Sequence, residues 1–76
     1  MIRAKIRFNS VDDIKKYIVK AMHVNGDITI MHDKYVINGK SLMGIFSLNH
    51  ENELDIEFSN LDENDLEIVN SLSLIR

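Results

Sequence analysis

The chain has 76 residues, with 9 basic and 12 acidic side chains, a net charge of −3, and neither cysteine nor proline. That is one small domain, residues 1–76, whose folding hides only roughly 60% of the open chain's surface; so little core leaves no room for a deep substrate cavity, and enzyme activity is not expected. The missing cysteine excludes a disulfide framework and thiolate metal sites and fits a cytoplasmic protein, no basic stripe points to nucleic acid, and no apolar run approaches the ~20 residues of a membrane helix.

Residues 2–8 alternate, with Ile2, Ala4, Ile6 and Phe8 on one face and Arg3, Lys5 and Arg7 on the other, the pattern of a half-buried strand. Met1 therefore leads into a strand and not into a signal peptide. Ser10 followed by Asp13 resembles a capping box. Val11, Ile14, Ile18 and Ala21 then share a helical face, with Asp12 and Asp13 in the first turn and lysines later, as the helix dipole prefers. Asn25-Gly26 is expected to end this helix.

Ile28 and Ile30 alternate with Thr29 and Met31 in a second strand, His32-Asp33 turns, and residues 34–37 return. After Asn38-Gly39, Ser41 caps a short helix running to about Leu48. A polar loop from Asn49 to Glu53 precedes a strand in which Leu54, Ile56 and Phe58 point one way. Asp62 caps a last helix with Leu66, Val69 and Leu72 on one face and Ile68 and Ile75 beside it. The order is βαββαβα, an α+β chain. Strands with one apolar face and helices with one apolar stripe bury each other as two layers, an antiparallel sheet with helices on one side.

The run Asn38-Gly39-Lys40-Ser41-Leu42-Met43-Gly44-Ile45-Phe46-Ser47-Leu48 closely resembles the signature around the regulatory serine of the histidine-containing phosphocarrier (HPr) family of the phosphotransferase system. Asp62-Glu63-Asn64-Asp65-Leu66 resembles the start of that family's last helix, and the element order agrees over the whole chain. The resemblance implies a four-stranded sheet of order 1-4-2-3 with three helices on one face.

In the family, a histidine at the start of the first helix, with an arginine two residues on and then a proline, accepts phosphate from enzyme I and passes it to sugar-transport components. Here that stretch reads Phe8-Asn9-Ser10-Val11-Asp12-Asp13, with Ser10 near the histidine's place and Asp12 near the arginine's. A phosphate gains from the free N–H groups of a helix N-terminus. Each carboxylate about 4 Å away opposes it by about 1 kcal/mol in water and several-fold more where solvent is excluded. Ser10 is no replacement, because a serine phosphate is a stable ester and a poor donor.

Ser41 matches the family's regulatory serine, which implies phosphorylation by an HPr kinase; a plain N-cap explains it equally well. Leu42, Met43 and Phe46, with Lys40 beside them, match the family's docking surface for enzyme I, transporter domains and a transcription regulator. The plainer alternative is ordinary packing of a short helix, with Ile45 and Leu48 as its buried pair. His23, His32 and His50 fit no metal-ligand spacing and are expected in polar surface positions. The acidic run Asp62, Glu63, Asp65 and Glu67 complements a helix dipole. Adjacent Asp12 and Asp13 do not face each other as an acid–base pair would. No cofactor, metal, nucleic acid or membrane partner is expected.

The reading is an HPr-like regulatory or protein-binding module without phosphohistidine carriage. A carrier with a displaced histidine and a structural or oligomerising domain are the alternatives.

Overall fold

The structure, a computed structural model, describes residues 1–48 and 53–75. Strand β1 (Ile2–Ile6) leads to helix α1 (Val11–Ala21), strands β2 (Asp27–His32) and β3 (Tyr35–Asn38), helix α2 (Leu42–Phe46), strand β4 (Leu54–Ser59) and helix α3 (Glu63–Ser71). The four strands form one antiparallel sheet in the order β1-β4-β2-β3. Both the two-layer α+β class and the 1-4-2-3 order agree with expectation.

Register explains how alternation becomes a core. Cross-strand partners share a face, so Ala4, Ile56, Ile30 and Ile37 form one continuous row beneath the helices. Ile2, Phe58 and Ile28 form the row beside it. Phe58, Ile14, Ile30, Ile45, Leu54, Ile56 and Val69 are essentially sealed from solvent. The opposite face carries polar rows such as Arg3, Glu57, Thr29 and Asn38, with an Arg3–Glu57 ion pair at 3.2 Å. On the outer edge of β1, Lys5 and Ile75 exchange backbone hydrogen bonds of 2.9 and 2.7 Å, so the chain beyond α3 covers part of an otherwise open edge.

Several local expectations need correction. β1 ends at Ile6, although Phe8 stays buried. The buried stripe of α1 is Ile14, Tyr17, Ile18 and Ala21, which begins one turn after Val11; that residue is about half exposed. In α3 the stripe is Asp65, Ile68, Val69 and Leu72, so Leu66 faces outward and a carboxylate takes its place. Ile75 lies past α3, on the β1 edge.

Helix α1 ends at Ala21 with Met22 as its C-cap, and Gly26 is not a left-handed terminator. Its need is for space. A Cβ there would lie 2.6 Å from the carbonyl oxygen of Ser59 and 2.7 Å from that of Asn60. Among the described residues, the left-handed ones are Asp33, at the β2–β3 turn as its short polar side chain allows, and Asn60 after β4.

Asp65 is fully enclosed and completes a capping box with Asp62. Its carboxylate also accepts the backbone N–H groups of Asn25 at 2.8 Å and Gly26 at 2.9 Å. Desolvation pushes its pKa up, but the N–H groups of Asn25, Asp62 and Gly26 outweigh it, and the net shift is downward. A carboxyl lowered on folding stabilises the fold above its unfolded pKa of about 4, and that stability drains away as pH falls through the folded value. The wild-type advantage over Asp65→Asn in urea denaturation should therefore be constant near neutrality and shrink below about pH 4. Gly26→Ala should cost about 1–3 kcal/mol in the same assay, because the backbone at Ser59 and Asn60 must move.

Candidate functional site

The five residues of α2 are too few to hold a helix in isolation. Their position is set by the segment before them. The Gly39 N–H donates to the carbonyl of Ile28 at 2.8 Å, and its own carbonyl accepts the buried Tyr17 hydroxyl, also at 2.8 Å. Burial raises the Tyr17 phenol far above its usual range, so it stays a neutral donor. The Tyr17 ring is held edge-on against Phe8, with centroids 5.2 Å apart. A Cβ on Gly39 would collide with the Ile28 side chain, which leaves glycine as the residue that fits.

Lys40 continues the anchoring. Its ammonium donates to the carbonyls of Val24 at 2.6 Å and Gly26 at 2.7 Å, and its N–H donates to the Asn38 side chain. The cation grouped with the docking residues thus ties the chain to itself. Ser41 then caps α2, its half-buried Oγ accepting the Gly44 N–H at 3.0 Å. No acidic side chain occupies the first turn, unlike α1 and α3.

Beyond the cap the helix divides as the sequence suggests. Ile45 and Leu48 are buried, and Leu42 is half-buried against the core. Met43 is 77% exposed and Phe46 37% exposed. Ser41, Leu42, Met43 and Phe46 therefore share one short element whose apolar side chains are only partly needed by the core.

The start of α1 is built differently. Ser10 Oγ accepts the Asp13 N–H at 3.1 Å, and the Asp13 carboxylate reaches back to the N–H of Asn9 at 3.0 Å. The expected capping box is thus modified, with the carboxylate landing one residue before the cap. His23 follows the far end of α1 and is exposed; His32 ends β2, with Nε2 3.6 Å from the Asp33 carboxylate. His50 lies outside the described residues. Among the described residues, no group of three or more His, Cys, Asp or Glu is placed to hold a metal, and no helix is long and apolar enough to cross a membrane.

The crystal structure of HPr-C-His from Thermoanaerobacter tengcongensis superimposes on 95% of this chain and 86% of its own, with a TM-score of 0.76 and 20% sequence identity. The fold is HPr-like. No family model and no curated protein matches the sequence.

In this HPr-like frame, composition-based reasoning missed the parts that hold α2 in place: Tyr17, Gly39 and the ammonium of Lys40. The glycine was visible as a turn residue, but its contact with Ile28 depends on the packing of distant segments. Removing the cap in Ser41→Ala should cost about 1 kcal/mol of stability in urea denaturation. Met43→Ala, on the exposed side of the same helix, should stay within about 0.5 kcal/mol of wild type.

Proposed function

We propose that this HPr-like chain is a protein-binding, regulatory module of the phosphotransferase-system type that does not carry phosphohistidine. It docks partners through Leu42, Met43 and Phe46 and takes regulatory phosphate on Ser41. The observation that carries the reading is the exposure of Met43 and Phe46 on a helix too short to need them, anchored from behind by Lys40 and Tyr17. Exposed apolar groups held on a fixed element favour association, and methionine adapts to varied partner surfaces. Lys40 supports the surface by holding its backbone; direct contact with a partner is the lesser part of its role.

The start of α1 supports the absence of carriage. Its capping groups are Ser10 and Asp13, Asp12 adds a second anion, and His23 and His32 sit at other ends of the fold. A phosphoryl group at that helix terminus would meet two negative charges in place of an imidazole and a guanidinium. Phosphate on Ser41 would instead add about −1.5 to −2 charge at a helix start that has no acidic side chain, beside the apolar docking residues. The partners by likeness of fold are phosphotransferase-system proteins, an HPr kinase or a transcription regulator, and the setting is the cytoplasm.

Incubation with phosphoenolpyruvate and enzyme I should leave the chain unlabelled. Acid-labile phosphate on His23, His32 or His50 would replace this reading with a displaced-histidine carrier. An HPr kinase with ATP should add one acid-stable phosphate that Ser41→Ala abolishes. Phe46→Ala combined with Met43→Ala should weaken binding to an HPr-recognising regulator by about tenfold or more, at a temperature where circular dichroism shows the variant still folded. Unchanged binding, together with no Ser41 labelling, would leave a structural domain.

A further inference from the structure

We propose that β3 pairs edge to edge with β3 of a second copy of this chain, joining two four-stranded sheets into one. The strand order leaves β1 and β3 at the two ends of the sheet. The β1 end is guarded: Lys5 exchanges backbone hydrogen bonds with Ile75, and Arg3 and Lys5 stand along the strand. The β3 end is built in the opposite way. Tyr35-Val36-Ile37-Asn38 carries no charge, proline or glycine, and Val36 is 70% and Tyr35 56% exposed. An edge strand without such guards is a template for another strand.

Hydrogen-bond parity fixes which groups that edge offers. Gly39 donates to the Ile28 carbonyl at 2.8 Å, so Ile28 and Gly39 are a bonded pair across β2 and β3. Bonded and non-bonded pairs alternate in an antiparallel ladder, so Ile37 and Tyr35 bond inward to Ile30 and His32. Val36 and Asn38 therefore point their N–H and carbonyl groups away from the sheet. The Asn38 carbonyl already accepts the Ser41 N–H at 3.0 Å. This favours a two-fold register centred on Val36. Val36 exchanges both hydrogen bonds with the partner's Val36, and each Asn38 N–H donates to the carbonyl of the partner's Lys34. Those four bonds leave the Asn38 carbonyl alone, whereas a register centred on Ile37 would need it for two of its four. Side chains match in the same register. Tyr35 faces the partner's Ile37 on the helix side, and Val36 faces the partner's Val36 on the open side, so apolar groups meet on both faces. The flanking Lys34 meets Asn38 and not another cation. This self-complementarity about a two-fold axis selects a second copy over an unrelated strand, which could use the backbone groups without matching the side chains.

The edge lies outside the α2 docking residues, so its test stands apart from the proposed function. Sedimentation equilibrium over about a hundredfold range of concentration should show a reversible monomer–dimer equilibrium. Val36→Lys sets two cations opposite each other at the two-fold axis and should weaken the dimer by about tenfold or more. Val19→Lys makes the same change in charge on α1, at a residue 63% exposed, and should stay within about twofold of wild type. Amide exchange reads the register: protection at Val36 and Asn38 should rise with protein concentration, while Tyr35 and Ile37 stay protected throughout. A chain that is monomeric over the whole range would overturn the proposal and leave the edge to a strand of another protein. So would a dimer that Val36→Lys leaves intact, or one whose formation leaves exchange at Val36 unchanged.

Discussion

The fold is tied at the peptide groups of Gly26. Its N–H donates to the Asp65 carboxylate, and its carbonyl accepts the Lys40 ammonium. The absence of a side chain lets the backbone of Ser59 and Asn60 pass against it. Four segments therefore meet at one residue: the entry to β2, the exit of β4, the first turn of α3 and the lead into α2. An anion and a cation satisfy opposite polar ends of that segment. This keeps buried polar groups paired without bringing the two charges into direct contact, and each charge is used through hydrogen bonds to fixed backbone dipoles.

The consequence reaches α2. A helix of five residues has few internal hydrogen bonds to set against the entropy of ordering it. Lys40, Gly39 and Tyr17 hold the chain immediately before it, Ser41 closes its first turn, and Ile45 and Leu48 seal its inner side. With its position fixed from behind, the outer side chains are relieved of structural duty. Met43 can then stay in water at little cost to folding, which is the physical condition for a surface that another protein can use.

Alternation made the strands legible in the sequence, because the period of two survives wherever one face of a sheet is buried. Strand order was not legible from periodicity, since each strand carries the same pattern; the likeness of the Asn38–Leu48 run to a known family supplied it. The helix faces were only partly legible. Ile14, Ile18 and Ala21 identified the buried side of α1, but the stripe centres on Tyr17 and leaves Val11 outside. In α3, a rule that seeks apolar residues selected Leu66 over Asp65. The carboxylate is buried because three backbone N–H groups surround it, two of them from a loop about forty residues away, and no local pattern records that. For the candidate site, the local cap at Ser41 and the division of α2 into buried and exposed residues could be anticipated, whereas the anchoring role of Lys40 could not.

The two helix starts pose the chemical choice most clearly. Both α1 and α2 begin with a serine whose Oγ accepts the N–H three residues on. At α1, Asp12 and Asp13 already complement the positive end of the dipole, and a dianion added there would compete with them. At α2, no acidic side chain lies in the first turn, so a phosphate on the cap would add a charge where none opposes it from the helix. The same capping motif thus disfavours phosphate at one terminus and accommodates it at the other. The difference comes from Asp12 and Asp13, not from the fold, so an HPr-like frame keeps its shape while the charge at a helix start changes.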